Sequence, residues 1–84
     1  MGVEKTLERA RAGSRNLRFS DVTRLVESFG FELVRIRGSH HIFSHPSIAE
    51  LVNLQSVNGK CKPYQVKQVL DIVDRYNLKL EADR

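Results

Sequence analysis

The sequence predicts a small α+β domain in which two amphipathic helices flank three antiparallel strands. Apolar residues at helical spacing mark the helices, and short alternating segments bounded by turn residues mark the strands. The resulting order is α-β-β-β-α, preceded by a short N-terminal helix or arm. Each helix has one apolar face that needs cover, so we expect both helices to pack on one face of the sheet and to leave the other face open.

The 84 residues have the length of a single domain. We divide them into an N-terminal arm or short helix over 1–18, a core over 19–78 and a tail over 79–84. Within the first part, "EKTLERARA" (4–12) favours a helix but is nearly all polar. We therefore do not expect it to contribute to the core.

The first core helix is predicted over residues 21–29. Ser20 is a good N-cap for it. The apolar residues recur at i, i+3, i+4 and i+7, namely Val22, Leu25, Val26 and Phe29. Gly30 supplies the left-handed residue that commonly follows a helix, so Phe31 is expected to fold back on the last turn.

Three strands are predicted between the two helices. They are "ELVRIR" (32–37), "HHIFS" (40–44) and "LVNLQSV" (51–57). Gly38-Ser39 is a two-residue hairpin turn. Pro46 ends the second strand because proline has no N–H to donate to a sheet, and the following residues 47–50 are expected to form a loop.

The closing helix is predicted over "PYQVKQVLDIVDRYN" (63–77). An Asn58-Gly59 turn precedes it, and Pro63 suits the first helical position. One face carries Val66, Val69, Leu70 and Val73, joined by Tyr76 half a turn on. Asn77 can end the helix.

The turn at Gly38-Ser39 sets the register of the first hairpin. It pairs Arg37 with His40, Ile36 with His41, Arg35 with Ile42 and Val34 with Phe43. Because directly paired residues share a face, the apolar pairs face the core, with His41 at their end as a half-buried ring whose nitrogen the backbone satisfies. His40 falls on the open face beside Arg35 and Arg37. A slip of one residue would exchange the faces and make His41 the second candidate for chemistry.

A metal site is not expected at the three histidines. His40 and His41 are consecutive in a strand and point to opposite faces, and His45, which we expect in a loop, lies ~13 Å along the chain from His41. Zinc needs every ligand nitrogen within ~2.1 Å. Glu32 and Glu50 are not at ligand spacing, and only one cysteine is present. We expect neither a metal nor another cofactor.

The middle of the chain is electropositive, which favours a polyanionic partner. Residues 30–70 contain Arg35, Arg37, Lys60, Lys62 and Lys67 against Glu32 and Glu50. The three lysines gather near the start of the closing helix, where we expect them to contact phosphates. No apolar run approaches the ~18 residues that a membrane helix needs, and the lone Cys61 cannot form an internal disulfide. The lack of a long apolar run excludes a membrane-spanning helix, and both observations favour the cytoplasm.

The segment "FGFELVRIRGSHHIFSHP" (29–46), with the strand and helix that follow, resembles the HicA-type toxins of bacterial and archaeal toxin–antitoxin systems over about residues 19–78. The shared signature is a Gly-Ser-His hairpin with an aromatic residue three positions later, here Gly38, Ser39, His40 and Phe43. The N-terminal arm and the stretch "QSVNGKCKPYQ" (55–65) depart from the family pattern.

The resemblance implies a fold like that of double-stranded-RNA-binding domains. It implies a ribosome-independent mRNA endoribonuclease that needs no metal and is inhibited by a HicB-type antitoxin. The catalytic histidine of the family corresponds to His40, with Arg35, Arg37 and Ser39 placed to contact the phosphate. We expect Phe43 to pack in the core. The alternative is an RNA-binding domain of the same fold without catalysis, which gives no reason for His40.

Overall fold

The computed structural model describes residues 2–81, and these form three helices and one three-stranded sheet. The elements are α1 (Val3–Arg11), α2 (Phe19–Ser28), β1 (Glu32–Arg37), β2 (His40–His45), β3 (Ile48–Gln55) and α3 (Pro63–Arg75). Both strand pairs are antiparallel, and the order in the sheet is β1-β2-β3. The predicted α+β class and the order α-β-β-β-α are confirmed, with an added N-terminal helix. Residues 82–84 of the predicted tail lie outside the described residues.

The core lies between the helices and one face of the sheet. The side chains that are at most 1% exposed include Leu17, Val22, Leu25, Val26, Phe43 and Leu54. Val66, Val69 and Val73 of α3 are buried against them, as their helical spacing predicts. On β3, Val52 and Leu54 are buried whereas Leu51 and Asn53 are exposed. This alternation shows that the other face of the sheet is left open.

The start of α2 differs from the prediction. Phe19 is the first helical residue and Arg18 the N-cap, with no side-chain cap, so the assignment of Ser20 as N-cap is wrong. The cause is a backbone contact with a distant turn. The Phe19 N–H donates to the Gly59 carbonyl at 2.9 Å, which satisfies one of the first four N–H groups that have no partner within the helix.

The end of α2 is a Schellman motif, as the sequence predicts. Gly30 has a φ of +98°, and its N–H donates to the Glu27 carbonyl at 2.9 Å. The Phe31 N–H donates to the Val26 carbonyl at 3.4 Å, and Phe31 folds back into the core. A β-carbon at Gly30 would lie 2.9 Å from the His45 Nε2 atom, so this position needs glycine for space as well as for φ.

Asn77 plays the same part after α3. Its φ is +53°, and the Leu78 N–H donates to the Val73 carbonyl at 2.9 Å.

The prediction that Tyr76 joins the buried face is wrong. Its side chain is 42% exposed, and its hydroxyl donates to Glu50 Oε2 at 2.6 Å. The Tyr76 hydrogen bond and then the Arg75 ion pair hold the pKa of Glu50 below its usual range.

The helix α1 belongs to the core, which corrects the expectation that it would not. Thr6 and Ala10 are 1% and 5% exposed, and Leu7 packs against the buried cluster. Arg11 donates two hydrogen bonds to the Asp74 carboxylate, at 2.8 and 3.2 Å, and so joins α1 to α3. The sequence missed this burial because small residues make the contact, and they give a weak apolar signal.

The strand pairing contains two irregularities that the sequence did not indicate. A bulge at Val34 makes Leu33, not Val34, the partner of Phe43. Val34 and Ile36 are each 55% exposed, so neither completes the predicted apolar face. Because β1 is an edge strand, side chains on both of its faces reach solvent.

The loop predicted over 47–50 is also wrong. His45 pairs with Ile48 across a two-residue turn at Pro46 and Ser47. Pro46 ends β2 as predicted, but β3 begins directly after Ser47, and His45 is the last strand residue and not a loop residue. A register shift between Phe43 and His45 absorbs the difference.

Within residues 2–81, none of the helices combines the length and the apolar character that crossing a membrane requires.

The burial of α1 can be tested with a matched pair of substitutions. Ala10→Gln places a longer polar side chain in a packed site and should lower the free energy of unfolding by about 2–3 kcal/mol. Ala12→Gln changes an exposed residue two positions later and should stay within about 0.5 kcal/mol of the parent. Urea unfolding curves measure both values. Equal effects of the two substitutions would show that α1 does not pack on the core.

Candidate functional site

The turn between β1 and β2 brings the predicted site residues together at one end of the sheet. Gly38 has a φ of +58°, whereas Ser39 is not among the residues with positive φ, which is the pattern of a type II′ turn. Arg37 pairs with His40 and Arg35 with Ile42, as the sequence predicts. His40, Arg35 and Arg37 therefore share the open face. His40 is partly exposed, and both arginines are exposed.

The side chains of β3 complete the surroundings of His40. Its Nδ1 atom lies 3.1 Å from Asn53 Oδ1. Beside this pair, Gln55 Nε2 donates to the Ser39 hydroxyl oxygen at 3.2 Å. The Gln55 N–H donates to Gln65 Oε1 at 2.9 Å, and Gln65 is only 5% exposed. The hairpin turn, the end of β3 and the first turn of α3 are thus joined by amide side chains.

His41 points to the core side, as predicted, but its contacts differ from the prediction. We expected a ring nitrogen satisfied by the backbone, yet the buried Nδ1 atom has no hydrogen-bond partner. The ring instead makes an edge contact with Phe19, with centroids 4.8 Å apart. His41 is paired with Ile36 and Leu54 in the sheet, so its surroundings are apolar.

His45 lies at the far end of β2 from His40. Its Nδ1 accepts the Ser47 N–H at 3.1 Å, and its ring makes an edge contact with Phe31. The three histidines are therefore in three different environments. Among the residues that the structure describes, no group of three or more His, Cys, Asp or Glu side chains could hold a metal ion.

The predicted basic residues lie next to the hairpin along the chain that follows β3. The Ser56 N–H donates to the Ser39 carbonyl at 3.1 Å, and the turn to α3 begins there. Lys60 and Lys62 are exposed in this connection, with Lys62 as the N-cap of α3. Lys67 is exposed on α3, two residues beyond Gln65.

Two further residues of interest are buried. Phe43 is 1% exposed and so packs in the core as expected. Cys61 is 3% exposed, and burial raises the pKa of its thiol to about 11. The thiol therefore stays protonated near neutral pH and is a poor nucleophile.

Sequence reasoning missed Asn53 and Gln55 as neighbours of His40. Both lie in the predicted third strand, but their partners depend on the pairing of β2 with β3. The incorrect loop over 47–50 left that pairing undefined. A two-residue turn at Pro46 and Ser47 would have placed the amide side chains of β3 opposite the hairpin. The available signal was the segment "NLQ" (53–55), in which two polar residues flank one apolar residue.

Comparison with protein families gives a match that spans most of the chain. The family described as HicA toxin of bacterial toxin–antitoxin matches residues 19–74, which contain α2, the whole sheet and nearly all of α3, but not α1. Comparisons with curated proteins and with solved structures found no match. The matched range covers well over half of the chain. The chain therefore belongs to the HicA toxin family of bacterial toxin–antitoxin systems, which implies an antitoxin partner.

Proposed function

We propose that this toxin is a cytoplasmic endoribonuclease that cuts mRNA without a metal or a ribosome, with His40 as the general base. The observation that carries the proposal is the position of His40. Its ring lies on the open sheet face, opposite Arg37 and in contact with a β3 amide. A histidine at this position contributes little to packing, so packing does not explain its presence. Membership of a toxin family favours a chemical role for it instead.

The reaction that suits this arrangement begins with the RNA itself. His40 takes the proton from a 2′-hydroxyl, and the 2′-oxygen bonds to the adjacent phosphorus. The bond from phosphorus to the 5′-oxygen breaks, and that oxygen takes a proton from a water molecule. The hydroxide that remains takes the proton from His40, which returns the base to its neutral form. The products are a 2′,3′-cyclic phosphate and a 5′-hydroxyl. DNA cannot react in this way because it lacks the 2′-hydroxyl.

The arginines and Ser39 would supply the remaining stabilisation. Arg37 lies directly across the hairpin from His40, and Arg35 lies one pair further along the same face. A guanidinium matches two phosphate oxygens and keeps its charge at all relevant pH values. Arg35, Arg37 and Ser39 would thus contact the phosphate whose negative charge grows during the attack. Gly38 would serve the turn that presents these residues.

The lysines would hold the RNA backbone on either side of the reacting phosphate. Lys60 and Lys62 lie in the connection that the Ser56–Ser39 hydrogen bond joins to the hairpin. Lys67 extends this charge along α3. Such contacts do not depend on base sequence, so we assign them to binding. A non-catalytic RNA-binding domain would need the same lysines but not His40, and cleavage of purified RNA separates the two functions.

Substitution of His40 is the first test. His40→Ala should lower the rate of RNA cleavage by about 10²–10⁴, which is the usual contribution of a general base, and should relieve growth inhibition on expression. The unfolding midpoint should stay near that of the parent because the ring lies on the open face.

His41→Ala is the matched control. It should keep the cleavage rate and lower the free energy of unfolding by about 1–2 kcal/mol, because the ring packs on Phe19. Cleavage by His40→Ala at the parent rate would refute the assignment, and loss of cleavage in His41→Ala alone would transfer it to His41.

The basic surface can be tested by charge reversal. Lys60→Glu/Lys62→Glu should weaken RNA binding, and the slope of log K against log salt concentration should fall by about 1 for each phosphate that the lysines no longer neutralise. Lys5→Glu/Lys79→Glu gives the same change in net charge at two other exposed lysines. The same slope in both double variants would mean that Lys60 and Lys62 do not contact RNA.

The antitoxin, which we propose to be HicB-like, should cover the His40 face. The apolar side chains on this face include Ile42, which is partly exposed and pairs with Arg35 and Asn53, and Leu51, which is 59% exposed. Exposed apolar side chains that lie together often mark a protein interface. An acidic partner would complement the arginines and associate faster at low salt. Inhibition would follow from simple occlusion.

Co-expression with the product of the adjacent gene tests this arrangement. The two proteins should co-purify, the complex should cut RNA far more slowly than the free toxin, and added salt should slow association. Arg35→Glu/Arg37→Glu should weaken the complex more than Lys5→Glu/Lys79→Glu does. A stable complex that cuts RNA at the free rate would contradict inhibition by occlusion.

A further inference from the structure

We infer that Asn53 is a positioning residue that holds His40 in the tautomer needed for catalysis. Its side-chain oxygen lies 3.1 Å from His40 Nδ1. The inference rests on the proposed function, since it concerns the atom of His40 that acts as the base. In this arrangement Nδ1 carries the proton and Nε2 takes the proton from the 2′-hydroxyl.

The assignment follows from what each atom can do. A neutral imidazole has one nitrogen that donates and one that accepts, and an amide oxygen only accepts. Nδ1 must therefore donate to Asn53 Oδ1, which leaves the lone pair on Nε2. In the other tautomer two lone pairs would face each other across this contact. Asn53 thus favours one tautomer and also limits rotation of the ring.

The sheet places Asn53 where this contact can form. His40 pairs with Gln55, and Asn53 pairs with Ile42, so Asn53 is the diagonal neighbour of His40 on the open face. Gln55 is held in turn by its contacts with Ser39 and Gln65. The contact between Asn53 and His40 therefore joins β2 to β3. The hydrogen bonds of Gln55 hold the pairing of these two strands in place next to it.

The charge of the surroundings explains why a neutral acceptor suits this position. The charged groups that face His40 are Arg37 and Arg35 on β1, whereas β3 presents the amides of Asn53 and Gln55. An aspartate in place of Asn53 would attract the arginines that we assign to phosphate. An asparagine orients the ring and leaves both arginines available to the substrate.

Kinetics of three variants test this role. Asn53→Ala should lower kcat by about 10- to 100-fold, which is the scale for misplacing a reacting group, with KM almost unchanged. Asn53→Asp should restore part of kcat at high pH, because the carboxylate also accepts from Nδ1 but draws the arginines away from the phosphate. It should move the acid limb of the pH–rate profile up by about one pH unit, because a carboxylate favours the imidazolium. Gln68→Ala, which removes an exposed amide of α3, should behave as the parent. A parent kcat in Asn53→Ala, or a loss confined to KM, would overturn the inference.

Nuclear magnetic resonance of the ring nitrogens gives a readout that needs neither activity nor a variant. In the parent, at a pH at which the ring is neutral, His40 should carry its proton on Nδ1. Asn53→Ala should shift the population towards the Nε2-protonated form, with His40→Ala used to assign the signals. A parent ring protonated mainly on Nε2 would overturn the inference. A parent with the Nδ1-protonated ring but no RNA cleavage would refute the proposed function and leave the positioning contact established.

Discussion

The register of the first hairpin determines which histidine faces solvent, and the candidate site depends on it. Phe43, three residues after His40, is 1% exposed. A slip of one residue would turn this ring out to solvent and His40 inward. Exposing a buried phenylalanine costs about 1.5–3 kcal/mol, a large fraction of the stability of a small domain. The aromatic residue of the Gly-Ser-His signature thus acts through packing, because it keeps the histidine on the open face.

The helices determine which face is open. α2 and α3 cover one side of the sheet, and α1 completes that layer with small buried side chains and the Arg11–Asp74 ion pair. This ion pair is exposed and contributes little by itself, so the packing of Thr6, Leu7 and Ala10 supplies most of the stabilisation. Because every helix lies on one side, the polar residues of β2 and β3 on the other side are left to solvent, to RNA or to a protein partner.

The sequence predicted the features that local backbone chemistry decides. The helix end at Gly30 and the turn at Gly38 need backbone conformations that few residues adopt, so they are readable without a structure. The pairing of β2 with β3 was not predicted, because an irregular register has no residue signature. For that reason Asn53 was missed as the neighbour of His40. The burial of α1 was missed because residues such as Ala10 give little apolar periodicity.

The central claim is that the toxin uses the 2′-hydroxyl of RNA as the nucleophile and needs no metal. Its most direct test is the cleavage of a purified single-stranded RNA in EDTA, beside the same oligonucleotide with one 2′-deoxy nucleotide at the cut. We predict cleavage of the all-RNA strand to a 2′,3′-cyclic phosphate and no cleavage at the 2′-deoxy position. Loss of cleavage in EDTA, or cutting at the 2′-deoxy position, would contradict the account.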